Sequence, residues 1–166
     1  MWRPTHGYLI ATRPAPGRDK GCIELTSIPN SPKPLNPDNL VGVETEFPLK
    51  EFMGFTIERG EGSATASLVV DDRHMNPNSV AHGAVPFTLM DTAMGAAVMS
   101  VLDENCSCAT IEMHTRFHRA SREGRLKAEA TVVSPGRQII HLEARTTDST
   151  GRLVASATAS FAVIRL

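Results

Sequence analysis

Residues 83–102, GAVPFTLMDTAMGAAVMSVL, carry a single charged side chain, Asp91, and this run decides what the chain can fold into. A helix that is apolar all round either crosses a bilayer or forms the centre of a globular domain. Asp91 sits near the middle of the run, with Pro86, Thr88, Thr92 and Ser100 around it. An aspartate at mid-bilayer costs about 2.5–3.5 kcal/mol, and the flanks show no positive-inside bias. The run is therefore expected to be a buried helix in a domain that makes no membrane contact.

The rest of the chain supplies a sheet for it. Pro48 to Met53 reads as a short helix, with Pro at an allowed first-turn position. A strand over 63–70 follows the turn Gly60-Glu61-Gly62, and a loop over 71–78 leads to the helix. Beyond the helix, over 109–119, Ile111, Met113, Thr115 and Phe117 alternate with Thr110, Glu112, His114, Arg116 and His118, a period of two. Leu126, Ala128, Ala130 and Val132 alternate with polar residues in the same way. Runs over 138–147 and 152–164 follow, with turns at Ser134-Pro135-Gly136-Arg137 and Asp148-Ser149-Thr150-Gly151. The expectation is an α+β domain over 48–166, an antiparallel meander curled around one helix. Residues 1–47 are expected to be an extension. Pro29, Pro32, Pro34 and Pro37 suit a surface arm, and 8–12 and 22–28 are short enough for added edge strands.

At 166 residues, 41% of them hydrophobic, the chain suits one domain with a sizeable core. A net charge of −1 gives no reason to expect nucleic acid as a partner. Cysteine is scarce and odd in number. Cys106 and Cys108 are taken to point to opposite faces of a strand, so no disulfide between them is expected, and a reducing, cytoplasmic location follows. The N-terminus, MWRPTHGYLIATRPAPG, lacks the apolar core of a secretory signal.

Chemistry concentrates in 74–91, HMNPNSVAHGAVPFTLMD. Gly83 lies where loop becomes helix, so its N–H is a plausible donor to an oxygen gaining negative charge. Asn76 can add a side-chain N–H, although Asn76-Pro77 is also an ordinary turn. Asp91 is expected on one helix face with Phe87, Thr88, Met94, Gly95 and Val98, where burial disfavours its charge and moves it toward general-base duty. Gly83 and Asp91 are eight residues apart, which is about 12 Å along a helix. One chain does not easily bring both to one carbonyl, whereas two antiparallel copies of the helix do. A single site built from both is therefore expected to be shared across a dimer.

These residues resemble a family. Asn76-Pro77-Asn78-Ser79-Val80-Ala81-His82-Gly83-Ala84, followed by Leu89-Met90-Asp91, is similar to the signature of hotdog-fold acyl-CoA thioesterases, nearest to the group that includes the phenylacetate-pathway enzymes. The resemblance runs from about residue 48 to 166. It implies a sheet wrapped around a central helix, and Asp91 as the carboxylate that activates water or attacks directly. It implies Gly83 as oxyanion donor, Asn76 as the assisting amide with His82 beside it, and Thr110 as the hydroxyl that positions water. It implies dimers of dimers with interfacial sites, no metal, and no cofactor beyond the CoA of the substrate. Two departures bear on substrate choice. Ala84 stands where the family often has a second Gly, which narrows the acyl or pantetheine channel. Ser79 stands where Gly adopts positive φ, so a slightly different loop path is expected. Arg119, Arg122 and Arg137 are candidates for the CoA phosphates. His114 and His118 share a strand face but lack a third metal ligand. The readings set beside hydrolysis are a non-catalytic acyl-CoA-binding protein and an enoyl-CoA hydratase or dehydratase on the same fold.

Overall fold

The computed structural model describes residues 47–166 and the backbone of a two-residue strand, β1 (Ile23–Glu24). Helix α1 (Pro48–Met53) leads into the antiparallel hairpin of β2 (Thr56–Gly60) and β3 (Ser63–Val69). A 3₁₀ turn (Asp72–His74) and a loop deliver the chain to α2 (Ala84–Met99). Four strands follow: β4 (Cys106–Phe117), β5 (Arg125–Ser134), β6 (Ile139–Thr147) and β7 (Leu153–Arg165). The sheet runs β2-β3-β5-β6-β7-β4, every one of these pairs being antiparallel. β1 adds parallel to the end of β7, at Ile164 and Arg165. It falls within the edge strand expected over 22–28. The strand expected over 8–12 and the rest of the proline-rich arm lie outside the described residues.

The expected meander holds only for β5, β6 and β7. β4 pairs with β7 rather than β5, and β5 pairs with β3. Alternation fixes which face a strand buries but not which strand lies beside it. β2 has no sequence signature because only Ile57 is even partly buried.

Sheet and helix fit by size. Buried alanines form much of the floor, among them Ala66, Ala128, Ala144, Ala155 and Ala159. Against them α2 lays Val85, Leu89, Met90, Met94 and Val98, all buried. Small residues on the sheet let large ones on the helix pack without voids, and each fully buried Leu or Met is worth about 1.5–3 kcal/mol. This packing turns Phe87, Thr88, Asp91, Thr92, Gly95 and Met99 away from the core, exposed or half-buried. Met94 and Val98, expected on the face of Asp91, lie on the buried side instead. The helix also ends at Met99, short of 102. Ser100 Oγ donates to the Ala97 carbonyl (2.7 Å) and accepts from Gly62 N–H (2.9 Å), which ties this end to the β2–β3 turn. No described helix is long and apolar enough to cross a membrane.

Candidate active site

Asp91 reaches from α2 to β4, where Thr110 Oγ1 donates a 2.8 Å hydrogen bond to its Oδ1. A β-bulge makes this contact. Between Thr110 and Glu112 the register of β4 against β7 slips by one residue. Cys108 and Thr110 oppose the buried Val163 and Phe161, and Met113, Thr115 and Phe117 oppose the buried Ala159, Ala157 and Ala155. Directly paired residues share a face, so all five point inward and Ile111 is the extra residue. Strict alternation puts Thr110 on the outer face with Glu112 and His114. The bulge corrects that reading and aims Thr110 at Asp91.

Asp91 is half-buried rather than fully buried, because it opens onto a cavity of about 590 Å³. Thr92, Gly95, Ala96 and Met99 continue its wall along α2, and Cys106, Cys108 and Thr110 face them from β4. Cys106 and Cys108 thus share a face, contrary to the expectation, because side chains two residues apart on a strand point the same way. Burial, and then the charge of Asp91, pushes the Cys108 thiol up to about 11. It is therefore a protonated wall here, its Sγ 3.9 Å from the Gly95 carbonyl oxygen.

Two turns back along α2 the chemistry changes. The Asn76 side chain closes its own turn, Oδ1 accepting from Asn78 N–H (2.8 Å) and Val80 N–H (3.4 Å). Its side-chain NH₂ has no acceptor among the described residues. Ser79 adopts φ 56°, so a serine takes the left-handed conformation that a glycine adopts freely. His82 Nδ1 accepts from Ala84 N–H (3.0 Å), and the His82 carbonyl accepts from Val85 N–H (2.8 Å). The ring of His82 therefore caps the helix. Gly83 N–H, immediately before, has no acceptor among the described residues. Gly83 does not need its conformational freedom, with φ −57°. A Cβ there would touch the Phe117 ring at 3.4 Å, an ordinary contact.

Gly83 opens onto a separate cavity of about 320 Å³, lined also by Pro86, Phe117, His118, Arg119 and Ser121. Arg119 is the one of the three candidate arginines at its wall. Arg122 is exposed in the same connection, and Arg137 lies in the β5–β6 turn, at the far end of β5 from Arg125. Ala84 is exposed in the first turn. His114 and His118 have different neighbours: His114 Nε2 lies 3.4 Å from Glu112 Oε2, and His118 Nε2 lies 2.8 Å from Ser156 Oγ. Sequence reasoning missed His74, which is buried beneath the loop. Its Nδ1 accepts from Asp71 N–H (2.9 Å), its Nε2 lies 2.9 Å from the Met53 carbonyl oxygen, and its own carbonyl accepts from His82 N–H (2.7 Å). It thereby fixes the approach to Gly83. The Asp71-x-x-His74 spacing of a capping box was the available signal.

Residues 78–155, which include His82, Gly83, Asp91 and Thr110, match the thioesterase superfamily model. The chain has the hotdog fold, and over this stretch it is similar to the thioesterase superfamily. A candidate esterase of Bacillus subtilis is 27% identical over 125 residues, covering 74% of this chain and 99% of that protein. One from Deinococcus radiodurans is 40% identical over 91 residues, 54% of this chain and 60% of that protein. Among solved structures, a Haemophilus influenzae thioesterase superposes with a TM-score of 0.68 at 27% identity, over 71% of this chain and 83% of that one. A candidate thioesterase of Ralstonia eutropha, related to phenylacetic acid degradation, gives 0.66 at 25% identity, over 72% and 92%. This fold thus places along one helix an open start and a carboxylate bonded to a β4 hydroxyl, each beside its own cavity.

Proposed function

We propose that this chain hydrolyses acyl-CoA thioesters at sites built from two copies of itself. The observation that carries the reading is the Asp91–Thr110 pair at the mouth of a largely apolar cavity. Thr110 holds one carboxylate oxygen and leaves the other for a water molecule. The water oxygen adds to the thioester carbonyl carbon while its proton passes to Asp91. The carbonyl electron pair moves onto oxygen, where the Gly83 N–H and the Asn76 side-chain N–H of the second copy stabilise it. Collapse re-forms the carbonyl and breaks the C–S bond. The CoA sulfur leaves with the electron pair and takes the proton back from Asp91. No metal or separate cofactor enters this scheme. His82 holds the helix start, and Ala84 bounds the channel beside it. Arg119 suits a CoA phosphate, with Arg122 close in sequence, whereas Arg137 would serve only from another copy.

The outer edge of β4 supports the second copy, because no described strand pairs with it. Beside that edge Phe87, Met99, Ile111 and Phe117 are exposed, between 41% and 58% each. A long free edge next to exposed apolar side chains is a surface for another chain. The reading is a homodimer or a homotetramer formed as a dimer of dimers, with 48–166 as the enzymatic unit, in the cytoplasm. The test is free-thiol release from an acyl-CoA panel by the full chain, with sedimentation to give its mass. Asp91→Ala is expected to lose roughly 10²–10⁴-fold in kcat. A variant as fast as the wild type removes Asp91 from its role, and a fully active monomer removes the shared site.

A further inference from the structure

Gly95 is the one glycine inside α2, at a position where a glycine costs about 1 kcal/mol relative to alanine. Packing within the chain does not require it. A Cβ built there meets nothing nearer than Phe161 Cε1 at 3.7 Å, an ordinary contact, and the backbone is helical. What the missing side chain leaves open is the cavity of Asp91. Gly95 lies one helical turn from Asp91 on the same face, where side chains four apart are neighbours at about 5–6 Å. Across the gap stand Cys108, whose Sγ lies 3.9 Å from the Gly95 carbonyl oxygen, and Thr110, which is bonded to Asp91. The space released is thus next to the reacting carbon, between α2 and β4, rather than at the far end near Met99. A straight acyl chain is narrow at that point. A ring, or a branch close to the carbonyl, is wide there.

From this juxtaposition we infer that Gly95 determines specificity, admitting acyl groups that are bulky beside the carbonyl, aryl or branched ones. The inference rests on the hydrolysis proposed at Asp91. One added methyl in an apolar pocket changes kcat/KM by roughly tenfold or more when the substrate needs that space. The experiment compares wild type with Gly95→Ala on benzoyl-CoA and butyryl-CoA, following thiol release, melting temperature and sedimentation. Gly95→Ala is expected to melt no lower than the wild type and keep its oligomeric mass. It is also expected to lose about tenfold or more in kcat/KM on benzoyl-CoA while staying within about twofold on butyryl-CoA. An equal change on both substrates, or an undiminished benzoyl rate, overturns the inference and leaves the hydrolysis reading intact. So does a change of oligomeric mass, which would make Gly95 a packing residue between copies. A wild type inactive on every acyl-CoA instead fails the hydrolysis reading itself. Gly95→Ser repeats the comparison should the alanine variant not fold.

Discussion

The two cavities along α2 differ in kind as well as place. The one at Asp91 is the larger, about 590 Å³ against about 320 Å³, and combines a carboxylate, a hydroxyl and apolar walls. The one at Gly83 holds an open backbone N–H with Arg119 and His118 at its wall. The first has a carboxylate and room for an apolar group. The second has donors and positive charge. Thioester hydrolysis needs both kinds at one carbonyl, and a single helix holds them about 12 Å apart. On the proposed hydrolysis, each cavity of one chain supplies half of a reaction centre.

The strongest way to break this comparison is complementation. Asp91→Ala disables one half and Gly83→Pro the other. Proline fits φ −57° and removes the N–H. Each variant alone is expected to lose at least about 10²-fold in kcat. Refolded together in equal amounts, they are expected to recover about a quarter of wild-type activity, since half the dimers carry one intact site. No recovery, with mixed dimers shown to form, means that both groups act within one chain. A smaller effect sharpens the Asp91 half. Thr110→Val removes a hydrogen bond to a charged group and is expected to lower kcat about tenfold with little change in KM. An unchanged kcat makes the hydroxyl structural only. The smallest effect tests the Gly83 half. Ser79→Gly relieves a left-handed serine and is expected to stabilise the fold by about 1 kcal/mol, seen as a higher melting temperature. Thiol-release kinetics for this variant should match the wild type.

The helix, the alternating strands and the motif at 74–91 were legible because each is a local pattern. The neighbour of β4 was not, because a strand with one buried face pairs equally well at several places in a sheet. Asp91 was found from its isolation on an apolar helix, but its face was misjudged. Hydrophobicity all round α2 hides which side meets the sheet, and the alanine floor that decides it lies on four strands, β3, β5, β6 and β7. Thr110 was named through resemblance alone, since its alternation pointed the wrong way. His74 was passed over because a histidine bonded at both ring nitrogens to backbone looks in sequence like any loop histidine.

Ile111 has a consequence beyond the contact it creates. It gives the two halves of β4 opposite parity: even-numbered positions face the helix up to residue 110, and odd-numbered ones do so from 113 onward. Deleting that one residue makes Thr110 and Glu112 neighbours, matching Phe161 and Ser160, so both halves keep their pairing with β7 and plain alternation is restored. A relative can therefore lack this residue without changing which side chains face the helix, and any such relative has to be numbered from each side of residue 111 separately.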